Sequence, residues 1–340
     1  MTASSTTTER KRVLSGIKPT GELHLGNYAG AIGPCIAFSQ RPEYEMLLMC
    51  ADWHGLTDRA KMHEPASNTA PALATFLALG FNPEGNSLFL QSDFPQIQEN
   101  SWYLSCVTAV GMLERAHAYK DALASGKKPT GGLFYYPVLM ASDIVSFDSE
   151  LVPVGKDQAQ HLEMMADIAQ SFNSAVGEPV YKIAAPLIQD VPLLIGTDGE
   201  RKMSKSYNNH IPLFAPKKEI EKRIKEIKTD SAGLDDVKDP ATCPIFQILK
   251  GFGSPEAVAY MKERLEKGKG YGYGHAKMDL LAEHDRVFGS KRALYEDLLA
   301  HPEEMKKRME SGYARAEAYA NQVRNRARDG LGLLRFRPGT

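Results

Sequence analysis

Two runs of residues suited to phosphate chemistry stand far apart in this 340-residue chain. Lys202-Met203-Ser204-Lys205-Ser206 sets two ammonium groups around a serine, and Thr20-Gly21-Glu22-Leu23-His24-Leu25-Gly26-Asn27 sets a histidine and an asparagine among glycines. On a helix Lys202 and Lys205 would be like-charged neighbours, and Ser204 and Ser206 disfavour a helix interior. No core strand would take both lysines. The run therefore suits a mobile turn that neutralises phosphate charge as it develops during transfer. In the upstream run, Gly16, Gly21 and Gly26 allow close backbone approach to a phosphate or a base. His24 and Asn27 fall about one helical turn apart and can face one ligand. Taken singly, each run reads as a solvated basic turn or as a surface histidine beside a helix-capping asparagine. Taken together they favour a nucleotide, with Lys202, Lys205, Ser204 and His24 as catalytic candidates and Gly26, Asn27 and Met203 beside them as binding candidates.

The elements that must position these runs alternate. Val13-Leu14-Ser15-Gly16-Ile17 is a strand candidate that enters a turn at Lys18-Pro19-Thr20-Gly21 and then a helix from His24;. Residues 45–51 and 87–91 predict further strands, with helix over 65–79 between them. Residues 100–123 predict one or two amphipathic helices, and 135–147 and 151–154 carry strand and helix signals on either side of an acidic tip. This order implies an α/β fold, a Rossmann-like doubly wound parallel sheet with helices on its faces. After Ser206 the pattern becomes helical over 217–228, 254–267, 276–288 and 302–329. The expected organisation is a disordered tail over 1–12, a catalytic domain over 13–210 and a helical domain over 211–340, whose last helix can pack back on the first domain.

Composition bounds the function. With 41 basic and 42 acidic residues the net charge is -1, which excludes a generally basic nucleic-acid coat and leaves RNA contact to local patches;. The cysteines Cys35, Cys50, Cys106 and Cys243 form no CxxC pair, so a cysteine-held metal is not expected, and they read as idle thiols of a reducing cytoplasm;. No apolar run approaches the roughly 20 residues that span a membrane. The Ser/Thr-rich start lacks the apolar centre of a signal peptide.

The order and separation of the two phosphate runs resemble the class I aminoacyl-tRNA synthetases, with their "HIGH" and "KMSKS" elements. Intervening segments sharpen this. Phe134-Tyr135-Tyr136-Pro137-Val138-Leu139-Met140-Ala141-Ser142-Asp143-Ile144 and Leu151-Val152-Pro153-Val154-Gly155-Lys156-Asp157-Gln158-Ala159-Gln160-His161 resemble the bacterial tryptophanyl-tRNA synthetase family. So do Ser15 to Gly21, Gln91-Ser92, Thr229-Asp230-Ser231 and Lys267-Gly268-Lys269-Gly270-Tyr271-Gly272, and the likeness covers most of the chain.

The resemblance implies ATP-dependent activation of L-tryptophan to an adenylate, then transfer to the terminal ribose of tRNA(Trp), in a cytoplasmic homodimer that uses ATP and Mg2+. An indole pocket needs a flat apolar slot and an acceptor for one N–H donor. Asp143, in an apolar segment, takes that acceptor role by resemblance. Met140, Val152 and Val154 suit pocket walls and would serve equally as core. Tyr136 and Gln158 match positions that hold the substrate's amino group, and Gly155 and Asp157 match positions near the ribose, where a plain polar turn would look the same. Two departures mark a divergent subtype. Lys18 replaces the glutamine of a Gly-Ile-Gln-Pro pattern and adds charge at the ATP site, and Tyr119-Lys120-Asp121-Ala122 leaves only Lys120 as an ATP contact there.

Arg315, Arg324, Arg326, Arg328, Arg335 and Arg337 suit a phosphate-tracking face or a solvated helix. Tyr271 and Tyr273, between glycines, suit base stacking or a structural loop. Three rival readings share parts of the pattern: a tyrosyl-tRNA synthetase, a synthetase-like RNA-binding regulator without adenylation, and an adenylate-forming enzyme without a tRNA domain.

Overall fold

The computed structural model describes residues 10–19, 21–57, 62, 65–126, 128–155, 159–189 and 193–336. Five strands, β1 (Lys11–Ile17), β2 (Tyr44–Cys50), β3 (Ser87–Leu90), β4 (Leu151–Val154) and β5 (Ala185–Ile188), form one sheet in the order β3-β2-β1-β4-β5. Every pairing is parallel, with Val13 of β1 opposite Met46 on one side and Leu151 on the other. The chain winds outward from β1 through β2 to β3, then returns to lay β4 and β5 on the opposite flank. That reversal opens a crevice beyond the C-terminal ends of β1 and β4, the place where such sheets bind ligands.

Both faces of the sheet are buried, so its strands read as apolar runs whose alternate residues enter different cores. Val13, Met46, Leu48 and Leu88 join one core, and Leu14, Leu47, Met49 and Phe89 join the other. β1 begins at Lys11, two residues before Val13, because Arg10 anchors its start by donating to Gly85 O at 2.7 Å. β5, Ala-Pro-Leu-Ile, gave no strand signal: it is a mostly exposed edge strand of four residues whose Pro186 lacks an N–H;.

The first helical element is shorter than expected. α1 (Leu25–Asn27) passes into a π-helical turn, Tyr28–Ile32, and then α2 (Gly33–Ser39). α3 (Asp52–Gly55) and α4 (Pro65–Ala78) connect β2 to β3. The segment expected as one or two helices forms three, α5 (Pro95–Ser105), α6 (Val110–Glu114) and α7 (His117–Ala124). α8 (Gly131–Val145) resolves the mixed signals at 135–147 as helix, capped by Thr130, whose hydroxyl accepts the Leu133 N–H at 3.3 Å. α9 (Ala159–Val176) links β4 to β5. The C-terminal helices are α10 (Lys217–Lys225), α11 (Pro244–Lys250), α12 (Pro255–Lys267), α13 (Tyr273–Phe288), α14 (Arg292–Ala300) and α15 (Pro302–Gly330). Among the described residues no helix is long and apolar enough to cross a membrane.

α15 closes the open edge of the sheet at β3. Its early Met305 and Met309 enter the first core, and its later Ala316, Ala320, Val323 and Ala327 enter the second, so the helix crosses the edge from face to face. The crossing point is Gly312, where an added Cβ would stand 2.9 Å from Asn86 O and Ser87 Cα. Three arginines of this helix tie it to the segments it packs on. Arg315 donates to Asn86 O at 2.6 Å, Arg326 pairs with Asp148 at 2.5 Å, and Arg328 pairs with Glu99. These three are therefore internal struts rather than a free phosphate-tracking face; Arg335 pairs with Asp329, and Arg337 lies outside the described residues. Tyr271 is likewise structural: it is buried, its hydroxyl donates to Asp279 at 2.5 Å, and Tyr273 donates to Asp230 at 2.8 Å.

Candidate active site

A cavity of about 340 Å³ occupies the crevice at the strand reversal. The end of β1 contributes Ser15 and Gly16, with Lys18 just beyond, and the end of β2 contributes Met49 and Ala51. β4 supplies Val152, Pro153 and Val154, followed by Gly155, and α8 supplies Tyr136, Met140, Asp143 and Ile144. His54 of α3 and Leu162 and Met165 of α9 complete much of the wall. A continuous apolar lining with one carboxylate in its floor is what α8 produces by presenting Tyr136, Met140 and Asp143 at spacings of four and three, hence on one face.

Asp143 is buried, with 2% exposure, yet its oxygens are paired. His54 Nε2 lies 2.7 Å from Oδ2, and Gln91 Nε2 donates to Oδ1 at 2.7 Å. The Gln91 amide is oriented by its own carbonyl, which accepts the Trp53 N–H at 3.1 Å. Burial pushes the Asp143 carboxyl above the usual carboxylate range, against the bonds from His54 and Gln91 that favour its charged form;. Each oxygen keeps a lone pair for a further donor. Tyr136 stands edge-on to His54, with ring centroids 6.3 Å apart at 78°.

The lysine-bearing turn meets the His24 segment on the other flank. Met203 is buried, and its N–H donates to Leu194 O at 2.8 Å, which fixes the turn to the preceding hairpin. Lys205 begins a 3₁₀ turn, Lys205–Tyr207, whose preceding Ser204 accepts the Ser206 N–H at 3.3 Å. Buried Asn209 ties the turn together: it accepts from Ser204 N–H at 2.8 Å and donates to Asp198 at 2.9 Å and to Lys202 O at 3.2 Å. Gly196 is needed for close approach, since an added Cβ would lie 2.1 Å from Asn209 Nδ2. After the turn, Ile211 O accepts the Leu25 N–H at 3.0 Å and Leu213 N–H donates to Leu23 O at 3.1 Å.

These contacts bring the two phosphate runs together. A Cβ on Gly26 would be 3.0 Å from His24 Nδ1 and 3.3 Å from Met203 Cβ, and a Cβ on Gly21, whose φ is 89°, would be 2.9 Å from Lys205 Nζ. Asn27 caps the segment by accepting the His24 N–H at 3.1 Å. His24 itself is buried, and that burial, reinforced by the charges of His210 and Lys205, lowers its pKa to about 4. At neutral pH it is an uncharged imidazole that can donate one hydrogen bond to a phosphate oxygen.

The cavity thus gathers Lys18, Tyr136, Met140, Asp143, Val152, Val154 and Gly155, while His24, Gly26, Asn27, Met203, Ser204 and Lys205 meet at the turn, with Lys202 exposed beside them. Lys120 is exposed on α7 and is not among the cavity-lining residues. Asp157 and Gln158 lie outside the described residues. His54, and the hydrogen-bonding role of Gln91, went unread in the sequence. Gln91 follows directly on the end of β3, and His54 lies in the short α3 four residues past the end of β2, where side chains of a parallel sheet reach the ligand crevice, and that position is the signal;.

The chain matches the family model for tRNA synthetases class I (W and Y) over residues 6–289. The tryptophan–tRNA ligase of Campylobacter jejuni strain RM1221 is 40% identical over 322 residues, covering 95% of this chain and all (100%) of the relative. That of Fusobacterium nucleatum is 41% identical over 325 residues, covering 95% and 98%. The crystal structure of a Campylobacter jejuni tryptophanyl-tRNA synthetase complexed with ADP and tryptophan superposes with a TM-score of 0.85 at 40% identity, covering 95% of this chain and 100% of that one. A tyrosyl-tRNA synthetase from Archaeoglobus fulgidus, complexed with L-tyrosine, shares the fold at TM-score 0.63 and 20% identity.

Proposed function

We infer from membership of the class I (W and Y) tRNA synthetase family, to which this chain belongs, that it is a tryptophan–tRNA ligase. It activates L-tryptophan with ATP and transfers the tryptophanyl group to tRNA(Trp). The observation that carries the choice of tryptophan is the buried Asp143 in the floor of an apolar slot, oriented by His54 and Gln91. A buried acceptor built for an indole N–H as its third donor disfavours phenylalanine, which would leave that third bond unmade, without an editing site.

In the first step the tryptophan carboxylate attacks the α-phosphorus of ATP in line; the new O–P bond forms as the bond to the β-phosphate oxygen breaks. Pyrophosphate leaves with its negative charge stabilised by Lys202 and Lys205, while Ser204 and Met203 hold the turn's shape. Neutral His24 donates to a phosphate oxygen, and Asn27 and Gly26 shape the surface beside it. Positioning and charge stabilisation supply the rate, so no covalent nucleophile is required. Lys18 adds charge at the cavity mouth, and Lys120 is a second, outlying candidate for the nucleotide. Tyr136 and Gln158 hold the ammonium group, Gly155 and Asp157 take the ribose, and Met140, Val152 and Val154 form the walls of the indole slot. In the second step a terminal ribose hydroxyl of tRNA attacks the acyl carbon and AMP leaves.

Bound Mg2+ would be held by the nucleotide's own phosphates and would supply charge neutralisation there alongside Lys202 and Lys205. Residues 13–210 carry adenylation, and residues 211–340 carry anticodon recognition. Exposed Trp102 of α5, Val110 of α6 and Leu123 of α7 support a homodimer;. The enzyme acts in the cytoplasm with its tRNA. The test is ATP–pyrophosphate exchange run separately with tryptophan, tyrosine and phenylalanine, followed by charging of tRNA(Trp). Exchange with tryptophan alone is expected. Exchange with tyrosine would move the assignment to the sister enzyme, and tRNA binding without exchange would favour an RNA-binding regulator.

A further inference from the structure

His210 and Glu22 stand beside His24 without a part in the chemistry of either step. His210 follows the lysine-bearing turn, immediately before the two backbone bonds that join Ile211 and Leu213 to Leu25 and Leu23. Its ring centroid is 5.7 Å from that of His24, with the rings tilted at 57°, and its Nε2 is 3.6 Å from Glu22 Oε2. Both rings are buried, at 6% and 8% exposure, and neither Nδ1 has a hydrogen-bond partner among the described residues. The orientation of each ring therefore rests on packing and, for His210, on the Glu22 carboxylate. The charged groups facing this cluster are Lys202 and Lys205, which act on His24, and Lys205 and Arg223, which act on Glu22.

We propose that His210 is a positioning residue for adenylation: held by Glu22, it fixes the ring of His24 and ties the lysine-bearing turn to the segment that opens α1. His210 does not touch the reacting atoms. Its contact with Glu22 is the largest of the influences that hold the Glu22 carboxyl below its ordinary range, so the carboxylate is charged at neutral pH. His210, with Lys205 and Lys202, adds to burial in lowering the His24 pKa, against the opposing pull of the Glu22 carboxylate;. One side chain thereby orients the group offered to the phosphates and adds to the burial that keeps it neutral.

The inference rests on the adenylation reading. It is tested by tryptophan-dependent ATP–pyrophosphate exchange with the full chain and its variants His210→Ala, His210→Gln, Glu22→Gln and Glu22→Gln/His210→Ala, with thermal unfolding measured alongside. His210→Ala is expected to lower kcat about ten- to a hundredfold, the scale of a misplaced catalytic group, while KM for tryptophan stays within about twofold. His210→Gln, whose amide can still donate to Glu22, is expected to recover most of that loss. The double variant should be no worse than His210→Ala, because a pair that acts as one unit is lost once. Wild-type kcat in His210→Ala with only a lowered unfolding temperature would overturn the proposal, as would losses that multiply in the double variant. Absence of exchange in the wild-type chain would instead overturn the adenylation reading itself.

Discussion

Replacing Asp143 by alanine removes the one carboxylate in the floor of the cavity, and its effects on binding and on stability separate. A hydrogen bond to a charged acceptor contributes about 1.5–3 kcal/mol, so losing the indole N–H partner should weaken tryptophan binding roughly 10- to 150-fold. Phenylalanine has no N–H to lose, and its weaker binding should hold or improve, so the preference for tryptophan collapses. On the protein side, the His54 Nε2 and Gln91 amide bonds, each 2.7 Å long, disappear from a buried site. Leaving such donors unpaired costs about 1–3 kcal/mol each where water cannot replace the carboxylate. Asp143→Asn keeps the shape and controls for this cost: its carbonyl oxygen accepts from one donor, and its NH2 faces the other, which His54 can accommodate by moving its proton to Nδ1. Calorimetric titration of both variants with tryptophan and phenylalanine, alongside thermal unfolding, reads the two effects. Tryptophan affinity within about twofold of wild type in Asp143→Ala would refute the acceptor role, and equal losses for both amino acids would reduce it to a scaffold effect.

Lys205→Ala should lower kcat of exchange by about 10²–10³, as loss of one preorganised charge partner does, with KM for tryptophan unchanged because the amino-acid cavity is separate; single-turnover pyrophosphate release checks this. Gly312→Ala should destabilise the protein by about 1–3 kcal/mol through overpacking against β3, whereas an unhindered helical glycine would gain about 1 kcal/mol from the change; the sign seen in urea unfolding decides. His24 and His284 both have pKa values lowered to about 4, chiefly by burial, so between about 4 and the ordinary value of 6.5 the unfolded chain binds protons that the folded chain refuses;. Stability should therefore rise with pH across that window, and His284→Gln, which can still donate to Pro212 O as His284 does at 3.0 Å, should give a shallower acid limb in thermal unfolding against pH.

Much of the fold was legible because both faces of the sheet are buried, which puts the apolar runs Val13-Leu14, Met46 to Cys50 and Leu88 to Leu90 at the centres of β1, β2 and β3. β5 escaped notice because an edge strand of four mostly exposed residues needs no such run. The mixed signals at 135–147 resolved as helix because α8 packs against α5 and α9, where Val138, Ala141 and Val145 are buried. The lysine turn and the His24 segment could be paired from their residue types, and Asp143 could be named from its apolar surroundings by resemblance. What the sequence could not carry was direction. Arg315, Arg326 and Arg328 look like a basic face along one helix, yet their acceptors, Asn86 O, Asp148 and Glu99, come from distant segments that only the packed chain brings close. His54 and Gln91 have the same history, since a hydrogen bond to Asp143 spans 89 residues in one case and 52 in the other.

The most direct test compares tryptophan with its benzothienyl isostere, in which sulfur replaces the indole N–H while ring size and shape are kept. In ATP–pyrophosphate exchange by the wild-type chain, kcat/KM for the isostere should fall about a hundredfold or more, because the buried carboxylate is left without its third donor. Comparable kcat/KM for the two amino acids would contradict the account, and the cavity would then select its substrate by shape alone.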